Sequence, residues 1–147
     1  MTCIVQLVGP SGSGKTRVIV SVSRRLKNLG FKVAVVKHTP PCRCASKDSW
    51  RFIEEGGADY AVVLRGSGER VVVFTRDQSI DRVVGELSKT VDVILVEGFK
   101  DLRLGYKVEL GGGENLEEVS EKVLEELLEC PRKAGEHRHP RPQGKEG

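Results

Sequence analysis

Cysteine is scarce in this chain: four stand among 147 residues, at positions 3, 42, 44 and 130. They are too few and too irregularly spaced for a disulfide scaffold, and nothing at the N-terminus resembles a signal peptide. A reducing cytoplasm is therefore the expected setting. Long apolar runs are missing as well. Stretches such as residues 34–36 and 93–96 fall far short of the roughly 20 residues that cross a bilayer, which argues against an integral membrane protein. Amide side chains are few (Asn28, Asn115, Gln6, Gln78 and Gln143) in a highly charged chain, a weak lean toward a thermophilic source. An excess of positive charge is missing from the body of the chain. The formal net charge of +3 is carried by residues 131–147, where Arg132, Lys133, Arg138, Arg141 and Lys145 outnumber Glu136 and Glu146. A basic groove for DNA or RNA needs a clustering that the body does not have, so nucleic acid is only a minor alternative.

What is there is enough to bury one core without disulfides or metal. Residues 3–8 are apolar and β-rich and run into a glycine loop, after which Val18, Val22, Leu26 and Leu29 fall on one helical face. Asn28 and Gly30 stop that helix, and residues 31–37 read as a second, mostly buried strand, so the chain opens with a βαβ unit. Pro40 and Pro41 break the chain. Residues 47–55 read as a short helix closed by Gly56 and Gly57. Two β-branched runs, 60–64 and 70–74, flank Gly66, Ser67 and Gly68 and predict a hairpin, and with it a mixed sheet. Ile80, Val83, Val84 and Leu87 follow helical spacing. Residues 91–96 form a continuous apolar run that suits a central parallel strand. A last short strand is expected at 106–110. Asn115 with Glu118 offers a capping box before a helix whose inward positions are Leu116, Val119, Val123 and Leu127. The expected organisation is a nucleotide-binding domain over residues 1–130 and a disordered basic tail over 131–147. No internal repeat is present.

Gly9, Pro10, Ser11, Gly12, Ser13, Gly14, Lys15 and Thr16 spell G-x-x-x-x-G-K-[ST] between an expected strand and an expected helix, the context in which this phosphate-binding pattern has physical meaning. Glycines let backbone N–H groups turn toward phosphate oxygens, and the new helix presents its positive end. Lys15 reaches the β- and γ-phosphates, Thr16 offers a hydroxyl to Mg²⁺, and Arg17 follows in the first helical turn. The alternative, a glycine-rich turn that binds nothing, fits poorly with every required position being filled. Proteins with this loop need a second carboxylate on the magnesium side, at the end of a neighbouring strand. Glu97 ends the 93–96 run and is the candidate for catalysis and for metal. Its alternative reading is a surface glutamate, and Asp92 reads as a solvated residue at the strand start.

Lys37 and His38 end the second strand, where open α/β sheets bind ligands, and are candidates for phosphate or substrate contact. His38 reads as a hydrogen-bonding group or a catalyst. Asp48 is either a metal-side or substrate-side carboxylate or the N-terminal charge of a short helix. His38, Cys42 and Cys44 make three soft ligands, one short of a zinc site and without its usual x₂ spacing; two ordinary loop thiols are the other reading. The Asn-Lys-x-Asp element that reads guanine is absent, so the residues alone leave ATP and GTP open. No glutamine is placed to orient water and no arginine finger is evident, so unaided hydrolysis is expected to be slow.

Together, several segments resemble the MobB family of molybdopterin-guanine dinucleotide biosynthesis adaptor proteins, over about residues 3–110. They are the loop quoted above; Val36, Lys37, His38 and Thr39; Lys47, Asp48 and Ser49 followed by Gly57 and Ala58; Val96, Glu97, Gly98, Phe99 and Lys100; and Lys107, Val108 and Glu109. The resemblance implies a Mg²⁺-GTP-binding homodimer with weak GTPase activity that assists the guanylyltransferase MobA in attaching GMP to molybdopterin, in a molybdenum or tungsten pathway that serves molybdoenzymes. The same resemblance makes Lys100 a further candidate contact. The sequence departs from the family where Pro40, Pro41, Cys42 and Cys44 replace a His-rich loop, and where Gly105 and Tyr106 stand in place of a proline before the Lys107 strand. The fold expected is α/β, a three-layer P-loop NTPase fold with a mostly parallel sheet and an antiparallel hairpin. The rival function is an enzyme that transfers a phosphoryl group from ATP to a small molecule or carboxylate.

Overall fold

The computed structural model describes residues 2–39, 47–67, 70–75 and 79–131. Cys42, Cys44 and the basic tail beyond residue 131 lie outside the described residues, and with them the thiol half of the suggested zinc site. Ten elements follow in order: β1 (Cys3–Val8), α1 (Lys15–Asn28), β2 (Val33–Lys37), α2 (Lys47–Glu54), β3 (Tyr60–Arg65), β4 (Arg70–Thr75), α3 (Ile80–Leu87), β5 (Val93–Glu97), β6 (Tyr106–Glu109) and α4 (Leu116–Glu129). The chain divides into two compact units, one formed by Met1–His38 with Val84–Gly147 and the other by Thr39–Val83.

In the first unit four strands make a parallel sheet in the order β2-β5-β1-β6. Val5 pairs with Leu95 on one side of β1 and with Tyr106 on the other, and Lys37 lies level with Glu97. Because side chains alternate along a strand, Cys3, Val5 and Leu7 of β1 and Val93 and Leu95 of β5 face one layer. They join Val18, Ile19, Val22 and Leu26 of α1 and Val123, Leu124 and Leu127 of α4 in a single core. Each large side chain buried in this way contributes about 1.5–3 kcal/mol. Residues of the opposite face, Gln6, Ile94 and Val96, are also fully buried, so the sheet is covered on both faces. The β5–β6 connection does part of this covering: Gly105 adopts a φ of 67°, and any side chain there would put its Cβ 2.3 Å from the Ile4 carbonyl oxygen. A proline, with φ fixed near −65°, cannot take this conformation, so this chain's departure from its resemblance family is built into the turn.

The periodicities locate the helices correctly, with local exceptions. Leu29 is exposed instead of facing inward, because α1 ends at Asn28 and Leu29 is its C-cap. Residues 33–37 are only half buried, since β2 is the sheet's edge and Val35 opens to solvent. Asp92 is not simply solvated: its carboxylate accepts a 2.7 Å hydrogen bond from the Lys32 N–H and ties the start of β5 to the turn before β2. The Asn115 carboxamide oxygen caps α4, accepting from the N–H groups of Glu117 and Glu118 at 3.1 Å.

The hairpin forms as expected but does not join the parallel sheet. In the second unit β3 and β4 pair antiparallel as a two-stranded sheet of their own, with Val62 opposite Val73 and Leu64 opposite Val71. The sheet around β1 is thus wholly parallel instead of mixed. Helix α2 packs against this hairpin, and Ile53 and Ala61 are buried there. Cys3 and Cys130 form a disulfide that joins the first residue of β1 to the C-cap of α4.

Candidate phosphate-binding site

The loop between β1 and α1 is shaped by its glycines. Gly9 has a φ of 153°, and a side chain there would place its Cβ 2.2 Å from the Leu110 carbonyl oxygen, so only glycine lets β1 turn out beside β6. Gly14, also at positive φ, is the N-cap of α1, and no side chain caps that helix end. A helix start of this kind, with N–H groups that no side chain caps, is one where anions bind in general. Lys15 reaches back across the loop, its ammonium donating to the carbonyls of Gly9 at 2.5 Å and Pro10 at 2.9 Å. Ser13 is buried, and its Oγ has no hydrogen-bond partner among the described residues. Thr16 and Glu97 meet although 81 residues separate them: the threonine hydroxyl lies 3.3 Å from each oxygen of the carboxylate. Glu97 is 9% exposed, and its second polar neighbour is the Lys37 ammonium at 3.8 Å. Glu97 is therefore not the surface residue of the alternative reading.

His38 follows Lys37, and its ring stacks on Phe99 with centroids 4.5 Å apart and planes 21° from parallel. Phe99 is the sole non-glycine at positive φ among the described residues, at 57°. Such a conformation costs on the order of 1–3 kcal/mol and persists only where its surroundings fix it. Here Gln6 does so. Fully buried at the middle of β1, its amide nitrogen faces the carbonyls of Gly98, Phe99 and Leu102 at 3.0, 2.8 and 3.2 Å, while its oxygen accepts from the Leu104 N–H at 2.9 Å. Lys107 adds a second clamp by donating to the carbonyls of Lys100 and Leu102. Gln6 thus holds the turn that leaves Glu97, a role invisible in the sequence except as one polar residue inside an apolar run.

The structure brings together Gly9 through Thr16, Lys37 and Glu97, with His38 stacked on the turn that follows Glu97. Arg17 lies in the first turn of α1, and Lys100 contributes its carbonyl to the Lys107 clamp. Asp48 belongs to the other unit, exposed in the first turn of α2, and is not counted among the groups assembled at Lys15. Among the described residues no group of three or more His, Cys, Asp or Glu is placed to hold a metal. No helix among them is long and apolar enough to cross a membrane.

A glycine loop between a central parallel strand and an uncapped helix, with its lysine, its threonine and a carboxylate from the neighbouring strand end, defines a P-loop protein of the nucleotide-binding class. The sequence pattern of the family described as MobB, molybdopterin guanine dinucleotide synthesis protein B, matches residues 4–127, and the chain belongs to that family. Among solved structures, a MobB homolog from Bacillus stearothermophilus is 26% identical, with a TM-score of 0.54 over 83% of this chain and 70% of that one. Bacillus subtilis MobB is 26% identical, with a TM-score of 0.57 over 80% of this chain and 72% of that one. A third, a molybdopterin-guanine biosynthesis protein B, shares 22% identity at a TM-score of 0.54 over 83% and 98% of the two chains, a likeness of fold. No individually curated protein matches the chain. Family membership gives the chain a role in molybdenum cofactor biosynthesis.

Proposed function

We propose that the chain binds Mg²⁺-GTP in the loop of residues 9–16 and acts as an accessory to the guanylyltransferase MobA when GMP is attached to molybdopterin, with only weak GTPase activity of its own. The observation that carries this reading is the convergence of Thr16 and Glu97 at 3.3 Å beside Lys15. A hydroxyl and a carboxylate are the hard oxygen donors magnesium takes, and the shared position lies next to the lysine that meets β- and γ-phosphates. Thr16 and Glu97 would hold such an ion, which would supply positive charge against the terminal phosphates. Lys15 exchanges its Gly9 and Pro10 carbonyls for phosphate oxygens, the α1 N–H groups orient the chain of phosphates, and Glu97 takes a metal-side or water-side position. Lys37, 3.8 Å from Glu97, balances that carboxylate's charge and ends the neighbouring strand level with it.

The protein acts as a homodimer in this reading. Tyr60, Val62, Leu64, Val71 and Val73 fall on one face of the two-stranded hairpin and are all more than half exposed. A two-stranded sheet with a bare apolar face is poorly stable in water, and a second copy of the same face covers it symmetrically.

Competition binding of GTP and ATP in Mg²⁺, combined with capture of purified MobA, tests the proposal. GTP is expected to bind more tightly than ATP and MobA to be retained. Equal or reversed base preference together with turnover of a small acceptor by ATP would overturn it in favour of a phosphotransferase.

A further inference from the structure

Two elements meet the phosphate loop at one end and are bonded to each other at the other. Strand β1 begins at Cys3 and runs from Val8 straight into Gly9. Helix α4 ends at its C-cap Cys130 and begins at Leu116, whose side chain lies against Gly14, so closely that a side chain at residue 14 would come within 2.6 Å of Leu116 Cδ2. Gly14 is the N-cap of α1, with a φ of 100°. Leu116 therefore props the residue from which the first amides of α1 are aimed. The disulfide between Cys3 and Cys130 closes this frame at its far end.

The bonded end of α4 has little else to hold it. Its last turn carries Glu126 and Glu129 and no basic residue, and negative charge is disfavoured at the negative end of a helix. Cys130 leaves the helix extended, with a ψ of 124°, and Pro131 has no N–H to return to the last carbonyls. Leu127 is buried, but Leu128 beside it is 47% exposed. Helix α1 ends differently: Arg25 and Lys27 stand in its last turn, and the N–H groups of Leu29 and Gly30 return to the Arg25 and Lys27 carbonyls. A helix of 14 residues is marginal in water without packing, so freeing its last turn loosens the whole of α4, Leu116 included.

We propose that the Cys3–Cys130 bond is a redox switch on the phosphate loop: oxidised, it holds α4 down and Leu116 against Gly14, and its reduction by a dithiol loosens α4 and weakens phosphate binding. The binding part of this inference rests on the loop being a nucleotide site. Cys3 is 2% exposed whereas Cys130 is partly exposed, so the dithiol enters at Cys130. One of its thiolates attacks the Cys130 sulfur, the Cys3–Cys130 bond breaks, and Cys3 leaves as a thiolate. The second thiolate of the reductant then attacks the mixed disulfide, closes the reductant's own disulfide and releases Cys130. Two electrons pass to the protein, and the two protons given up by the dithiol end on Cys3 and Cys130. In the reduced chain the state with Leu116 in place is only part of the population, and apparent affinity falls by that fraction.

The test uses the full chain, oxidised and after treatment with dithiothreitol, as wild type, Cys130→Ala and Leu116→Ala. Each is titrated in Mg²⁺ with GTP and with inorganic triphosphate, and amide hydrogen exchange is followed at residues 14–17, in α4 and in β5. Reduction of wild type is expected to weaken both ligands about fivefold or more and to speed exchange at residues 14–17 and in α4 while β5 stays protected. Cys130→Ala is expected to match reduced wild type with or without dithiothreitol, and Leu116→Ala to bind weakly in both redox states. Equal affinity and equal exchange in oxidised and reduced wild type overturn the inference. So does loss of protection in β5 on reduction, which would mean unfolding and not a switch, or a response to dithiothreitol that persists in Cys130→Ala or in full in Leu116→Ala. If oxidised wild type binds neither ligand, the nucleotide reading fails, and exchange at residues 14–17 alone decides whether the disulfide acts on the loop.

Discussion

Glu97 shows how a single position acquires its role. It ends a buried strand 3.3 Å from the Thr16 hydroxyl, and in the proposed function its carboxylate serves the metal or water while the loop amides serve the phosphates. Glu97→Gln is therefore expected to retain most of its Mg²⁺-GTP affinity and to lose about tenfold or more of any hydrolysis. Calorimetry and single-turnover hydrolysis on one preparation separate the two, and hydrolysis at the parent rate would remove Glu97 from catalysis. The placement of Lys15, Thr16 and Glu97 at one end of the parallel sheet was legible in the sequence, because a fixed loop spacing and a strand end set it. Gln6 was not, because it acts through backbone groups whose positions depend on the fold and lie more than 90 residues away. Cys3 and Cys130 are a similar case, since two cysteines separated by 127 residues give no sign of pairing until β1 and α4 are adjacent.

The elements were largely legible, because apolar spacing reports what each one buries. Strand β5 reads as a continuous apolar run since it has β1 on one side and β2 on the other, with both faces covered. The same reasoning overstates the burial of β2, whose composition resembles that of β5 although it lies at the edge; nothing local distinguishes an edge strand from a central one. The hairpin was legible from Gly66 and its flanking β-branched runs, but its separation from the parallel sheet was not, since strand pairing partners are chosen in three dimensions. Its exposed face gives an element-scale prediction. In the proposed homodimer that face is shared between two copies, so sedimentation velocity is expected to find the parent dimeric and Leu64→Lys with Val73→Lys monomeric at the same concentration, because a charge on each strand would be buried. A dimeric double variant would place the dimer contact elsewhere.

For the whole molecule, the Cys3–Cys130 bond joins positions 127 residues apart and closes most of the chain into one loop. On the chain-entropy account a loop of this length contributes about 4–5 kcal/mol by restricting the unfolded state. Reductant is therefore expected to lower the melting temperature by roughly 10 °C, and Cys130→Ala should abolish the effect; a melting curve indifferent to reductant would mean the bond contributes nothing. The central claim is that the loop between β1 and α1 holds the phosphates of GTP, and calorimetric titration of wild type and Lys15→Ala with Mg²⁺-GTP tests it most directly. Among the described residues the Lys15 ammonium donates to loop carbonyls alone, so the variant should unfold at the parent temperature. Wild type is expected to bind saturably and folded Lys15→Ala not measurably, whereas an unchanged affinity in the folded variant would mean that the loop does not hold the phosphates.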